Sequence, residues 1–134
     1  MIALDTNILI YCCDKANAQR QRVALDLVAA VADGVLLWQV ACEFIAASRK
    51  LAEQGFTAEH AWLRLADFLD LFTLILPAGN ALREAQTLHT KNGWAFWDAM
   101  IVSSCLEAGV GVLYSEDLPG NRAPKPLKIV NPFL

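Results

Sequence analysis

The sequence lacks any hydrophobic run long enough to cross a bilayer. Its longest apolar region, Val35–Ala47, is interrupted by Gln39 and Glu43 and falls short of the roughly 20 residues that a transmembrane helix needs. The segment Met1–Asp5 also lacks the basic start and the long apolar stretch of a signal peptide. These absences argue against a membrane protein, and we expect the chain to act in the cytoplasm.

The patterns of several common chemistries are also missing. The cysteines form no Cys-x-x-Cys pair and have no histidine at the spacing of a zinc site, so we interpret them as reduced, small apolar residues. They are Cys12, Cys13, Cys42 and Cys105. Ser103 and Ser104 lie inside a predicted helix and not in a Gly-x-Ser-x-Gly elbow, and no glycine-rich phosphate loop occurs. The sequence gives no support to a zinc module, a serine hydrolase or a P-loop protein.

Positive charge is scarce. With 11 Lys and Arg against 14 Asp and Glu, the net charge is −3, which argues against a protein that grips nucleic acid through a wholly basic surface. A basic rim is still available from Arg49 with Lys50, or from Arg122 with Lys125 and Lys128. The 134 residues, 56% of them hydrophobic, suffice for one core, and no linker interrupts them. We therefore predict one domain spanning residues 1–134.

Short apolar runs alternate with helical patterns along the chain. The predicted strands are Ile2–Leu4, Val35–Leu37, Phe72–Leu76, Val110–Tyr114 and Leu127–Val130. A helical turn is predicted at Ile8–Tyr11, and helices at Asn17–Ala32, Trp38–Leu51, Thr57–Leu71, Ala81–Lys91 and Trp97–Ala108. In the helix after Thr57 we expect Trp62, Leu65, Ala66 and Leu69 to face the core. This alternation predicts an α/β fold with a parallel sheet covered on both faces by helices.

Acidic residues follow the predicted strands. Ligands of such sheets bind beyond the carboxyl ends of the strands, where the strand order reverses. Asp5 directly follows the first strand, Glu43 lies in the helix after the second, Asp98 begins the helix leading to the fourth, and Asp117 follows the fourth. We expect these four carboxylates to converge. Each also has an ordinary interpretation: a turn residue for Asp5 and Asp117, a helix cap for Asp98, a solvated helix residue for Glu43.

No lysine or arginine lies near Glu43 on its helix face, and the immediate neighbours of Asp5 and Asp98 are apolar or neutral. Two like charges ~4 Å apart repel by about 4 kcal/mol at an effective dielectric near 20, so converging carboxylates need a cation. A set of oxygen ligands suits magnesium or manganese better than zinc. Such a site activates water and stabilises charge on a phosphate, which predicts a phosphodiester hydrolase.

Four segments carry a resemblance to a known family. In order, they are Asp5-Thr6-Asn7 after the first strand, Glu43 on a helix, Trp97-Asp98-Ala99-Met100-Ile101 and Ser115-Glu116-Asp117-Leu118. Together they resemble the PIN-domain ribonucleases, and among these most of all the VapC toxins of type II toxin–antitoxin pairs. The resemblance implies a three-layer α/β/α sandwich with a central, mainly parallel five-stranded sheet. It also implies an endoribonuclease that depends on Mg²⁺, with Mn²⁺ as an alternative.

The resemblance assigns roles to individual residues. It implies that Asp5, Glu43, Asp98 and Asp117 are the catalytic carboxylates that hold the metal. Asp5 and Asp98 are its firmest ligands, Asp117 acts directly or through water, and Glu116 is a less favoured substitute for Asp117. Thr6, Asn7 and Ser115 correspond to small polar positions near the family's site, whose hydroxyl or amide groups orient a carboxylate or the attacking water.

The resemblance also implies partners: an RNA substrate, a second copy in a homodimer, and a cognate antitoxin whose C-terminal segment obstructs the active site. Of three alternative functions, two stay open and one fails at a particular position. A PIN nuclease of RNA processing and a catalytically silent PIN-like binding module share the fold, although the silent module is expected to have lost acids. A phosphoacceptor signalling domain requires an aspartate after the third strand, where the chain has Ile75–Ala78. Trp94 and Trp97 flank the site, and we expect both to be buried.

Overall fold

The computed structural model describes residues 1–134, in which five short strands alternate with six α-helices. The strands are β1 Ile2–Leu4, β2 Gly34–Leu37, β3 Thr73–Ile75, β4 Val112–Tyr114 and β5 Lys128–Val130. The helices are α1 Thr6–Cys13, α2 Ala18–Ala30, α3 Trp38–Ala47, α4 Ala58–Leu71, α5 Gly79–Lys91 and α6 Phe96–Ala108, and short 3-10 helices occupy Ser48–Gln54 and Gly120–Arg122.

The strands form one sheet in the order β3-β2-β1-β4-β5, and every neighbouring pair is parallel. Ala3 of β1 is in register with Val35 of β2 on one side and with Leu113 of β4 on the other. The strand order therefore reverses between β1 and β4, and a crevice opens beyond their carboxyl ends. The predicted parallel sheet of five strands is confirmed.

The connections place helices on both faces of the sheet. The chain moves in one direction from β1 through β2 to β3, and then returns past β1 to β4. Because crossovers between parallel strands are right-handed, α1–α4 cover one face and α5 with α6 cover the other. In agreement, α1 packs on α2 and α3, α3 packs on α4, and α5 packs on α6. The result is the predicted α/β/α sandwich.

Apolar side chains of the strands and inner helix faces form one core. Leu36, Leu37 and Leu113 are almost fully buried because a central parallel strand has helices on both sides. Phe44 of α3 meets Phe68 of α4 edge to face, with ring centroids 5.5 Å apart. No helix of the structure is both long enough and apolar enough to traverse a membrane.

The inward face of α4 differs from the prediction. Ala61, Leu65 and Phe68 are buried, whereas Trp62 is 59% exposed and Leu69 42% exposed; Ala66 is exposed as well. Apolar residues occupy more than one face of this helix, so helical spacing predicts either of two adjacent faces as the buried one. Contacts with α3 and the sheet decide between them, and those contacts lie outside the helix sequence.

Several helix boundaries also differ by one or two residues, and α1 and α3 differ most in extent. The helical turn predicted at Ile8–Tyr11 is a full helix beginning at Thr6, because the Asp5 side chain accepts a hydrogen bond from the Thr6 backbone N–H and caps it. The helix predicted to reach Leu51 is α-helical only to Ala47 and continues as the 3-10 helix Ser48–Gln54. Leu51 is nevertheless buried, as the spacing predicted.

Candidate functional site

The segments after β1 and β4 meet in the crevice at the strand reversal. Asp5 follows β1, and its backbone N–H donates to the Tyr114 carbonyl oxygen at 2.9 Å. One residue further along, the Ser115 hydroxyl donates to Asp5 Oδ2 at 2.7 Å. Both side chains are buried, with Asp5 6% and Ser115 1% exposed. The sheet itself therefore fixes the position of the Asp5 carboxylate.

The first turn of α1 contacts three of the predicted acids. Asp5 is the N-cap and accepts from the Thr6 backbone N–H at 2.7 Å. The Thr6 hydroxyl donates to Glu43 Oε2 at 3.0 Å, and Asn7 Nδ2 donates to Asp117 Oδ2 at 2.9 Å. The side chains of Thr6, Asn7 and Ser115 thus each donate to one carboxylate. Neutral donors of this kind orient a carboxylate without cancelling its charge.

Gln39 connects Glu43 to the helix that carries Asp98. Its Nε2 donates to Glu43 Oε1 at 2.5 Å and to the Trp97 carbonyl oxygen at 3.1 Å. Gln39 is 9% exposed, so its amide is held in place. We did not predict Gln39, although its position one turn before Glu43 is a sequence signal, since side chains four residues apart on a helix are neighbours.

Asp98 lies in the first turn of α6 but is not its N-cap, which is Ala95. The ordinary interpretation of Asp98 as a helix cap is therefore wrong, although a negative charge in the first turn still interacts favourably with the helix dipole. No hydrogen bond or salt bridge contributes to the electrostatics of its carboxylate. Asp98 is the least restrained of the four acids by the rest of the chain.

The four carboxylates influence one another electrostatically. Burial raises the pKa of Asp5 to about 6, aided by the charges of Glu43 and Asp117 and opposed by the hydrogen bonds from Ser115 and Thr6. Burial likewise raises the pKa of Asp98, and Glu43 and Asp117 again add to the effect. None of the four forms a salt bridge; the three that occur are Met1 with Asp33, Arg20 with Glu116 and Arg64 with Asp67. The structure brings the four acids to the same crevice, and no lysine, arginine or histidine forms an ion pair with any of them.

The acids share one crevice but do not form a complete set of metal ligands in this conformation. As the side chains stand, no three acidic, histidine or cysteine residues are close enough to hold one ion. The donors are nevertheless all oxygens, which is the set that Mg²⁺ or Mn²⁺ prefers. Asp5 is fixed by the sheet, whereas Glu43 and Asp98 are half-buried and Asp117 is exposed.

Glu116 does not join this group. Its carboxylate accepts from the Tyr11 hydroxyl at 2.5 Å and pairs with Arg20 at 2.7 Å, on the far side of the segment. Only its backbone N–H approaches the site, at 3.5 Å from Asn7 Oδ1. Asp117, and not Glu116, faces the other acids in this structure. The resemblance favoured Asp117 over Glu116, but the contacts with Tyr11 and Arg20 that turn the Glu116 carboxylate away could not be read from the sequence.

The two tryptophans near the site differ in exposure. Trp94 is 4% exposed, as expected, but Trp97 is 65% exposed, so the prediction that it is buried was wrong. Trp97 and Trp38 line a groove of about 500 Å³ that also contacts Gln39 and Glu43. Phe96 supports the Trp97 ring at a centroid distance of 4.9 Å. An apolar surface therefore borders the acidic crevice.

Ser115→Ala is expected to lower the free energy of unfolding by about 1–3 kcal/mol, the usual cost of leaving buried polar groups unsatisfied. The Ser115 hydroxyl donates to Asp5 and accepts from the backbone N–H groups of Asp117 and Leu118, both at 3.2 Å. Urea denaturation measures the loss. Ser103→Ala is the matched control, because Ser103 is equally buried but bonds only the Met100 carbonyl oxygen of its own helix. Equal losses in the two variants would contradict this role of Ser115.

Solved structures resemble the chain in fold. A toxin–antitoxin complex from Klebsiella pneumoniae matches with a TM-score of 0.68 and 18% identity over 98% of both chains. VapC20 of Mycobacterium tuberculosis, described as a toxin that cleaves the sarcin–ricin loop, matches with a TM-score of 0.67 and 17% identity. The match covers 87% of this chain and 90% of that one. VapBC2 of Rickettsia felis, bound to a DNA fragment of its promoter, matches with a TM-score of 0.71 and 21% identity over 98% of both chains.

Sequence comparison gives the family. No curated protein is significantly similar to the chain. The family model of the PIN domain, however, matches residues 2–119. That range contains β1 to β4 and all four acids of the crevice. With the fold, the position of the crevice and this match in agreement, the chain belongs to the PIN domain family.

Proposed function

We propose that the chain is a metal-dependent endoribonuclease and the toxin of a toxin–antitoxin pair. One observation carries the proposal: Asp5, Glu43, Asp98 and Asp117 lie around the strand reversal, and the first two and Asp117 accept only from neutral donors, while no cationic side chain pairs with any of the four. A protein that kept this fold only for contacts would gain nothing from raising the pKa of two carboxylates by burial and mutual repulsion. Retention of all four acids therefore favours catalysis over a silent binding module.

The four carboxylates are the residues that would hold Mg²⁺ or Mn²⁺. When bound, such an ion lowers the pKa of a bound water and stabilises the negative charge that develops on the phosphate. The chain's own contribution is orientation. Ser115 and the Thr6 backbone hold Asp5, while the Thr6 hydroxyl and Gln39 hold Glu43. Partners of metal ligands commonly contribute about 10- to 100-fold to metal affinity or activity.

The role as a toxin is supported by the solved structures of similar fold, which include toxin–antitoxin complexes and a toxin that cleaves an RNA loop. A cognate antitoxin and a second copy of the chain are accordingly the partners we propose. The surface offers apolar area for them, since α4 exposes several large side chains. These are Trp62, Leu63, Leu69 and Leu71. A PIN nuclease of RNA processing is the alternative within the same chemistry.

Cleavage of RNA by the purified protein tests the activity. We expect the wild type to cut single-stranded RNA in the presence of Mg²⁺ or Mn²⁺ and to lose the activity in EDTA. Asp5→Asn should abolish cleavage while keeping the helix cap, because asparagine caps helices as well as aspartate does. Asp70→Asn is the control, since Asp70 is exposed on α4 and away from the crevice.

Two further results decide between the alternatives. Expression of the wild type, but not of Asp5→Asn, should arrest bacterial growth if the chain is a toxin. Cleavage without growth arrest would instead support a nuclease of RNA processing. The absence of cleavage with either metal, or equal cleavage by Asp5→Asn, would show that the acids do not form a nuclease site.

A further inference from the structure

A second cluster lies behind the acidic crevice, on the opposite side of residues 115–117. At its centre, the carboxylate of Glu116 is fully engaged. Arg20 contacts Glu116 Oε1 through Nη2 at 2.7 Å and through Nε at 2.8 Å, and the Tyr11 hydroxyl donates to Oε2 at 2.5 Å. Charge-assisted bonds of this geometry are stronger than neutral ones and fix the direction of the carboxylate. Glu116 therefore has one strongly preferred orientation.

Aromatic rings hold Arg20 in place in turn. Its guanidinium carbon lies 5.7 Å from the centroid of the Tyr11 ring and 5.4 Å from that of Phe133, distances at which a cation is attracted to a ring face. Tyr11 and Phe133 meet edge to face at 5.1 Å. We call Tyr11, Arg20, Glu116 and Phe133 the Arg20 anchor. It joins α1, α2, the segment after β4 and the C-terminal residues.

The anchor is attached to the catalytic crevice through three consecutive residues. Ser115 bonds Asp5 and Asp117 bonds Asn7, both inside the crevice, whereas Glu116 between them points to the anchor. Consecutive side chains of this segment thus face opposite ways. A backbone that is held from outside at Glu116 cannot rotate Asp117 outward without breaking the bonds to Arg20 and Tyr11.

We propose that Arg20 is a positioning residue of the PIN active site: by holding Glu116 outside, it keeps Asp117 turned toward the other acids and keeps a fifth carboxylate out of the metal site. This inference rests on the proposed function, because it treats Asp117 as part of a metal-binding group. Arg20 is 96 positions before Glu116 in the sequence, so this role could not be read from local sequence.

Charge explains why loss of Arg20 should affect the crevice more than the fold. The Arg20 side chain is 41% exposed, so its ion pair with Glu116 contributes little to overall stability. Without Arg20, however, Glu116 keeps only the Tyr11 hydroxyl and is free to turn. Its negative charge then competes with Asp117 for the same ion, or draws Asp117 out of position by releasing the backbone.

Magnesium titrations of Arg20→Met and Arg22→Met test the proposal. Arg22 is the matched control, since it lies on the same helix, is exposed and has no salt bridge. Calorimetry and the Mg²⁺-induced rise in melting temperature report affinity without relying on activity. We expect Arg20→Met to need about 10-fold more Mg²⁺ than the wild type, the usual effect of losing an outer partner, with a nearly unchanged melting temperature in EDTA. Arg22→Met should match the wild type.

Glu116→Gln supplies the second variant. It removes the charge that Arg20 neutralises, so the double variant Arg20→Met/Glu116→Gln should bind Mg²⁺ no more weakly than Arg20→Met alone. Equal Mg²⁺ affinity in the wild type and Arg20→Met overturns the proposal, whatever happens to the melting temperature. If the wild type cleaves RNA under those same conditions, the nuclease proposal survives that result. A wild type that neither binds Mg²⁺ nor cleaves RNA overturns both.

Discussion

Asp98→Asn is expected to abolish RNA cleavage and, in the absence of metal, to raise the melting temperature. Asp98 lies beside Glu43 and Asp117, and burial together with these two charges raises the pKa of its carboxyl group. Because no hydrogen bond restrains Asp98, asparagine removes repulsion without removing a bond. We expect cleavage to fall by more than about 100-fold, since even partners of metal ligands contribute about 10- to 100-fold. Gel-based cleavage and thermal melting in EDTA measure the two effects.

The response to metal separates this prediction from a simple loss of folding. Added Mg²⁺ should raise the melting temperature of the wild type more than that of Asp98→Asn, because only the complete acid group binds the ion tightly. Asp26→Asn, an exposed acid on α2, serves as the control. A marked destabilisation of Asp98→Asn in EDTA would instead mean that Asp98 supports the first turn of α6, and would remove it from the site.

The free energy of unfolding of the metal-free protein is expected to depend on the ionisation of Asp5 between pH 4 and pH 6. Burial raises the pKa of Asp5 from 3.8 to about 6. In that interval the folded protein binds more protons at Asp5 than the unfolded chain does, so this group makes stability fall as the pH rises. The full effect of such a shift is about 3 kcal/mol. Asp98, whose pKa is also raised, changes stability in the same direction.

Comparison of the wild type with Asp5→Asn isolates this contribution. Other carboxylates act oppositely: the hydrogen bonds from Tyr11 and Arg20 lower the pKa of Glu116 despite its partial burial, so its contribution is lost as the pH falls. The relevant quantity is therefore the difference in unfolding free energy between the two proteins, measured by urea denaturation in EDTA. As the pH rises from 3.5 to 8, the unfolding free energy of Asp5→Asn should increase relative to that of the wild type by up to about 3 kcal/mol. A difference that does not vary with pH would show that Asp5 titrates normally.

Sequence patterns predicted the central strands well because these strands are buried on both faces. The run Val35–Leu37 is buried throughout and lies within β2, whereas the predicted runs Phe72–Leu76, Val110–Tyr114 and Leu127–Val130 extend one or two residues beyond their strands. The convergence of Asp5 and Asp117 followed from the same logic, since the carboxyl ends of adjacent parallel strands share an edge. Local pattern and global fold agree at these positions, which is why they were predictable.

Features that depend on distant contacts were not predictable. The face of α4 depends on what α3 presents to it, and the orientation of Glu116 depends on Arg20, 96 residues earlier. Trp97 was expected in the core because a large aromatic residue usually is, yet it lies exposed beside Glu43. A single sequence contains the residues for such pairings but not the distances that bring them together.

The first turn of α1 sets how the crevice can change. Asp5, Thr6 and Asn7 are consecutive. The Thr6 backbone N–H donates to Asp5, the Thr6 hydroxyl donates to Glu43, and the Asn7 side-chain amide donates to Asp117. A rigid shift of α1 therefore carries all three donors together and preserves their mutual spacing. Insertion or deletion of a single residue there would rotate every donor by about 100° around the helix axis and misdirect all three at once. The crevice therefore constrains the number of residues in this turn as strictly as the identity of their side chains.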